Sequence, residues 1–171
     1  MKKIFFILII ALNYNLKGFS QNYIYQGDNQ YKATSTWRFK LNGHYWTGEP
    51  TFTVAKHSTG GYLMASIEVP FKSEYIGGTI TIFLNDGSTI KCTDKGKRDH
   101  VDNQSIALYN FTKAEMEILS KKRITMIRFS ILGGGSGSET FTADNRKELF
   151  IRREGESENF ETEIEISRLM E

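Results

Sequence analysis

The sequence predicts a mainly β protein, an antiparallel β-sandwich or barrel-like domain of about eight strands with one inserted helix. Short runs of residues alternate between apolar and polar side chains, glycine-rich turns separate these runs, and the 171 residues include only two prolines. The runs are rich in β-branched and aromatic residues, which favour strands. We therefore expect strands joined by tight turns, except where the period of the pattern changes.

The N-terminal segment has the features of a cleavable secretory signal peptide. Two lysines directly after Met1 precede the apolar run Ile4–Leu12. This run is shorter than the about 20 apolar residues that a membrane-spanning helix needs. Small residues at Gly18 and Ser20 favour cleavage after Ser20, which leaves residues 21–171 as a single domain.

Export would place the mature chain in a periplasm or outside the cell, and it changes the charge balance. Three of the 22 basic residues lie in the predicted signal, so 19 remain against 20 acidic residues. This balance gives no support for a nucleic-acid partner. No cysteine lies directly after the apolar run to carry a lipid, so no membrane anchor is expected after cleavage. The single cysteine, Cys92, excludes an intramolecular disulfide and is expected to be buried.

The first clear strand pattern in the mature chain is the alternation of Trp37, Phe39 and Leu41 with basic residues. Asn42-Gly43 follows and is typical of a tight turn, so a hairpin is expected to begin there.

Three further strand pairs follow, each joined by a turn rich in glycine. We expect residues 52–55 to pair with Tyr62–Val69 through a turn at 58–61. The two halves of Thr79–Cys92 are expected to pair through a turn at 85–88. Residues 124–132 are expected to pair with 140–143 through a loop at 133–138. Another strand is expected at 105–111.

One segment has helical spacing. Thr112 and Glu115 form a capping box, and Met116 and Leu119 form an apolar stripe after it, which predicts a helix at 112–121.

The C-terminal segment allows two interpretations. Residues 162–170 form either a short helix or an edge strand in which Ile164 and Ile166 alternate with glutamates. We favour the helix, preceded by a loop at 154–159.

No local motif assigns a catalytic residue, a metal site or a cofactor. The sequence has no glycine-rich phosphate loop, no His-Glu-x-x-His, no Gly-x-Ser-x-Gly and no Cys-x-x-Cys.

The most polar stretch contains Asp94, Asp99, His100 and Asp102. These side chains are candidates for a metal or acid-base site, although their spacing departs from a calcium loop. The alternative is a solvated loop between strands.

A second candidate is the aromatic loop that contains His44, Tyr45 and Trp46. Aromatic faces stack on pyranose rings, and nearby polar groups bind hydroxyls, so these residues are candidates for ligand binding. The alternative is that the aromatic rings cover the end of the core.

Together these features favour an exported, non-enzymatic binding or accessory module for a glycan, an envelope component or a protein partner. One alternative is a hydrolase that uses the carboxylates Asp94, Asp99 and Asp102. Another is a structural or assembly protein of the cell envelope, whose sheet edges pair with a partner.

Overall fold

The protein is built from two antiparallel sheets. The computed structural model describes residues 22–43, 48–135, 137–146 and 158–171, and twelve strands and two helices fall within them. The strands of the first sheet are β1 (Asn22–Gln26), β2 (Asn29–Ala33), β3 (Trp37–Arg38), β5 (Thr51–His57), β6 (Gly60–Glu68), β9 (Arg98–Val101) and β10 (Gln104–Thr112). Those of the second are β4 (Lys40–Asn42), β7 (Tyr75–Leu84), β8 (Thr89–Cys92), β11 (Ile124–Gly134) and β12 (Gly137–Asp144). The helices are α1 (Lys113–Leu119) and α2 (Thr162–Met170).

The strand order of the first sheet is β1-β2-β5-β6-β10-β9, with β3 also paired to β5, and that of the second is β4-β12-β11-β7-β8. The predicted mainly β, sandwich-like class is therefore confirmed. The number of strands is higher than the expected eight, partly because the alternating run at 37–41 is divided between β3 and β4, and partly because short strands such as β9 carry too few residues to show a pattern.

The predicted hairpins at 58–61, 85–88 and 133–138 are confirmed as the β5–β6, β7–β8 and β11–β12 pairs. The strand predicted at 105–111 is β10. In these strands the alternation separates a buried face from an exposed one. Leu63, Ala65 and Ile67 of β6, for example, are buried in the core between the sheets.

The hairpin expected to begin at Asn42-Gly43 continues into residues 44–47, which lie outside the described residues, so it stays a prediction. Trp37, Phe39 and Leu41 are buried as predicted. However, Trp37 pairs with Phe52 in the first sheet, whereas Leu41 pairs with Ala143 in the second. The chain therefore crosses between sheets near Phe39. Alternation reports which side of a strand is buried, but it carries no information about the strand's partner.

Helix α1 begins with the predicted capping box. Glu115 N donates to Thr112 Oγ1 at 3.2 Å, and Thr112 N donates to Glu115 Oε2 at 2.7 Å. Met116 and Leu119 are fully buried, as the apolar stripe predicted.

The C-terminal segment is a helix and not an edge strand. Ile166 of α2 is fully buried in the main core, whereas Ile164 is 38% exposed. A strand would have placed both isoleucines on one face, while two residues along a helix lie about 200° apart. No helix in the described part of the chain is long and apolar enough to cross a membrane.

Candidate functional site

The aromatic loop that contains His44, Tyr45 and Trp46 lies outside the described residues. Its proposed role in ligand binding stays a prediction.

The structure gives Asp94 a local bonding role. Its Oδ1 accepts from Gly96 N at 2.7 Å, its Oδ2 accepts from Gly78 N at 3.0 Å, and Oδ2 also pairs with the Arg98 guanidinium at 2.5 Å. Partial burial by itself would raise the pKa of Asp94, but these hydrogen bonds and the positive charge of Arg98 lower it below the usual value. Asp94 therefore fastens the chain between β8 and β9 to strand β7.

The other candidate polar residues do not converge with Asp94. Residues 98–101 are an edge strand, and His100 pairs with Ser105, whose buried Oγ accepts from Ile76 N at 2.9 Å. His100 therefore lies on the inner face of the sheet, and its buried Nε2 has no hydrogen-bond partner among the described residues. Asp99 is exposed on the outer face, where its Oδ1 accepts from His100 N at 2.8 Å.

Asp102 lies in the β9–β10 turn, at a positive φ of 55°. Residues 94–102 are thus partly strand and partly tight turn. The described residues contain no group of three or more histidine, cysteine, aspartate or glutamate side chains placed to hold a metal ion.

A groove of about 1110 Å³ lies between β2 and α2. Within the described residues, β2 pairs with β1 at all five of its positions. It pairs with β5 only at Ala33–Ala55, and the groove opens beside this pair. The lining residues are Asn22, Gln30, Tyr31, Lys32, Ala33, Thr34, Ser35, Lys56, His57, Ser58, Phe160, Glu161, Ile164, Glu165, Arg168, Leu169 and Glu171.

Helix α2 is held in place by a carboxylate that accepts three hydrogen bonds. Glu165 accepts from Ser35 N at 2.8 Å, from Ser35 Oγ at 2.9 Å and from Trp37 Nε1 at 3.0 Å. At the end of the helix, Lys56 Nζ donates to the Met170 carbonyl at 2.7 Å. The helical wall of the groove is therefore fixed to the sheet by contacts in addition to the buried Ile166.

The strand wall of the groove is joined to the rest of the first sheet by main-chain bonds to β5. Thr34 N donates to Val54 O at 2.8 Å, so the main chain of residue 34 is directed away from β1 and towards β5. Because successive residues of a strand direct these groups to opposite edges, Lys32 and Gln30 share the orientation of Thr34. Their N–H and C=O groups are therefore directed towards β5, with which β2 pairs at Ala33–Ala55.

An aromatic cluster forms one end of the groove. The Tyr31 ring lies 5.2 Å from that of Tyr62, and the His57 ring lies 4.5 Å from Tyr62, measured between centroids. Desolvation and a hydrogen bond with Tyr62 raise the pKa of Tyr31. His57 is half-buried in this cluster.

Sequence reasoning missed the groove because its walls come from segments about 130 residues apart, as the Ser35–Glu165 contact shows. The available signal was Ile164, an apolar residue outside the buried stripe of α2. Comparisons with protein-family models, with curated proteins and with solved structures found no match. The interpretation of the groove therefore depends on its own geometry.

Proposed function

We propose that this chain is an exported binding module that holds a protein partner in the groove between β2 and α2. The export part of the proposal is supported by the signal-like N-terminal segment. The binding part depends on one observation, a preformed groove of about 1110 Å³ between β2 and the partly apolar helix α2.

The groove side chains favour binding over catalysis. Glu165 is occupied by three hydrogen bonds, and Lys56 by the Met170 carbonyl. Of the groove hydroxyls, Ser35 donates to Glu165, and Thr34 donates to the carbonyl of Ser35. These contacts stabilise the walls, as expected of a preformed binding site.

The test compares two exposed isoleucines. Ile164 is 38% exposed on the groove side of α2, and Ile118 is 37% exposed on α1, away from the groove. The mature chain, immobilised, is incubated with an envelope extract of its source, and the captured proteins are quantified by mass spectrometry. We expect Ile164→Arg to remove a protein that the wild type and Ile118→Arg both retain. Equal capture by all three chains would contradict the groove as the binding site.

A second candidate function is glycan binding on the face of the β1–β2 hairpin that lies opposite Ile24 and Tyr31. Tyr23 and Tyr25 lie two residues apart on this face, and Tyr25 is 71% exposed. Gln30 Nε2 donates to the Tyr25 hydroxyl at 3.2 Å. Exposed aromatic faces with an adjacent amide are suited to stacking on a sugar ring. Under this proposal, Tyr25→Ala loses affinity for soluble oligosaccharides by calorimetry, whereas Phe71→Ala, at a site 64% exposed elsewhere, keeps it.

A further inference from the structure

We propose that the outer edge of strand β1 pairs with β1 of a second copy of this chain, antiparallel and about a two-fold axis. The first sheets of the two molecules then form one continuous sheet. Among the described strands, β1 is the outermost of the first sheet on the side of the β1–β2 hairpin. The proposal goes beyond the binding of a partner in the groove, because it uses the edge of β1 that is directed away from β2.

The first support is the composition of this edge. In the described part of the chain, β1, β9, β4 and β8 lie at the ends of the two sheets. Lys40 lies in β4, Lys91 in β8, and Arg98 and Asp99 in β9, and such charges oppose pairing with another molecule. Strand β1 contains no charged residue and no proline, and it pairs with β2 without a register shift. Its outer edge is therefore regular and lacks the usual protection against strand addition.

The second support is the direction of the main-chain groups, which follows from the turn between β1 and β2. Gln26 pairs with Asn29 across the two-residue turn Gly27-Asp28. The pair that flanks such a turn exchanges hydrogen bonds, and bonded and non-bonded pairs alternate from there. Ile24 is therefore bonded to β2, whereas the N–H and C=O groups of Tyr25 are directed away from it. These two groups supply a donor and an acceptor for a further strand.

The third support is the compatibility of β1 with a copy of itself. When a strand pairs with itself about a two-fold axis, each charged side chain comes close to its own equivalent, and like charges destabilise adjacent strands. A strand without charge avoids this repulsion. With three of the 22 basic residues in the predicted signal, 19 remain against 20 acidic residues, so two mature chains do not repel each other strongly.

The fourth support is the exposure of the tyrosines of β1. Tyr25 is 71% exposed and Tyr23 is 39% exposed, and side chains two residues apart share a face of the strand. A two-fold axis at Ile24 places Tyr25 opposite Tyr23 of the other copy, and an axis at Tyr25 places the two Tyr25 rings opposite each other. In both registers tyrosine rings meet across the strands, which stabilises the pair, and the main-chain groups of Tyr25 bond the other copy.

The length of β1 limits the strength of the pair. Its five residues span about 16 Å at about 3.3 Å per residue. Stable protein interfaces bury about 1,200–2,000 Å² in total, and an interface of one such strand and its tyrosines lies below this range. We therefore expect a reversible dimer with a dissociation constant in the micromolar to millimolar range.

The test is analytical ultracentrifugation of the mature chain from about 10 μM to about 1 mM, where the wild type should show a monomer–dimer equilibrium. Tyr25→Lys brings like charges together in the pair and should weaken association at least tenfold. Phe71→Lys, which adds the same charge at a site 64% exposed elsewhere, should associate as the wild type does. A wild-type chain that stays monomeric at about 1 mM, or equal association of the two variants, would overturn the proposal.

A mixing experiment tests the symmetry of the pair. Tyr25→Lys and Tyr25→Glu should each associate weakly, whereas their equimolar mixture should associate more strongly, because opposite charges then meet across the axis. A mixture that associates no better than its separate components would overturn the pairing of β1 with itself.

The main-chain contribution has its own test. Tyr25→Pro removes the outward N–H and leaves the bonds between Ile24 and β2 in place. Tyr25→Thr is the matched control, because it also lacks the ring but keeps the N–H. We expect the proline variant to associate at least fivefold more weakly at an equal melting temperature, and equal association would overturn main-chain pairing.

A readout on the wild type replaces this comparison if Tyr25→Pro lowers the melting temperature. The Tyr25 amide should exchange its hydrogen more slowly at about 1 mM than at about 10 μM, because the second copy accepts its hydrogen bond. Equal exchange rates at the two concentrations would overturn strand pairing at this edge.

Discussion

Glu165 accepts a hydrogen bond from the indole N–H of Trp37 at 3.0 Å and joins the C-terminal helix to a strand 128 residues earlier in the chain. The same carboxylate accepts both the N–H and the hydroxyl of Ser35. Trp37 is completely buried, so its N–H depends on this acceptor. This side chain therefore helps to fix the position of α2 relative to the first sheet.

Removal of this carboxylate should destabilise the fold. Glu165→Ala leaves the Trp37 and Ser35 donors without their partner, and we expect a loss of about 1–3 kcal/mol in the free energy of unfolding. Urea denaturation followed by circular dichroism measures it. The control is Glu161→Ala, because Glu161 is exposed and makes no side-chain capping bond, and its effect should stay within about 0.5 kcal/mol. Equal losses in the two variants would show that the Glu165 bonds do not hold the helix.

A close approach of β6 to α1 makes Gly61 sensitive to substitution. A Cβ atom at position 61 would lie 2.4 Å from Met116 Sδ and 2.7 Å from the Ala55 carbonyl oxygen. The carbonyl belongs to the paired strand and cannot move freely, so we expect Gly61→Ala to cost about 1–3 kcal/mol. Gly135→Ala is the control, because no atom lies within 4 Å of the added methyl group. Thermal unfolding of both variants distinguishes a packing clash from the general effect of replacing a glycine.

The parts of the fold that the sequence predicted are those encoded by neighbouring residues. Asp86-Gly87 encodes the β7–β8 turn, and Thr112 with Glu115 encodes the start of α1. Each feature depends on local hydrogen bonds and a local apolar pattern. The crossing near Phe39 could not be predicted, because the pairing of Leu41 with Ala143 is decided by the packing of distant strands.

The groove could not be predicted from the sequence for the same reason. Its walls, around Lys32 and Ile164, meet because α2 docks on the sheet, in part through Glu165. The polar cluster at 94–102 illustrates the reverse case, since proximity in the sequence suggested proximity in space. Adjacent residues of a strand point to opposite faces, so Asp99 and His100 are separated once β9 forms.

The bonds to Asp94 predict a dependence of stability on pH. The folded-state pKa of Asp94 is lower than its usual value of 3.8, so the unfolded chain binds more protons between these values and stability falls as the pH falls through them. At pH 7 we expect Asp94→Ala to lose about 1–3 kcal/mol through its broken hydrogen bonds.

The difference between wild type and Asp94→Ala should shrink as the pH falls below about 4, which chemical denaturation at several pH values measures. The control is Asp99→Ala, which removes an exposed carboxylate that bonds only the adjacent His100 N–H among the described residues. A difference that stays constant from pH 7 to pH 2.5 would contradict the stabilisation of the charged form of Asp94.

Burial of Cys92 predicts both its reactivity and an alkaline loss of stability. Burial, with a smaller contribution from the charge of Glu115, raises the pKa of the Cys92 thiol from 9.0 to about 12. The folded protein should therefore react with a disulfide reagent at pH 8 much more slowly than the urea-unfolded chain, because the thiolate is the nucleophile. Rapid reaction of the folded protein would contradict the buried position.

The sign of the pH effect follows from the same shift. Above about pH 9 the unfolded chain releases the thiol proton while the folded chain retains it, so the free energy of unfolding should decrease as the pH rises from 9 towards 12. Burial and the charge of Asp94 also raise the pKa of Tyr109 above its usual value of 10.0, which adds a second decrease from about pH 10. Cys92→Ala should keep this second decrease and lose the first, because it has no thiol to ionise. If the free energies of unfolding of the wild type and of Cys92→Ala decrease in parallel from pH 9, ionisation of the thiol is not the cause of the decrease.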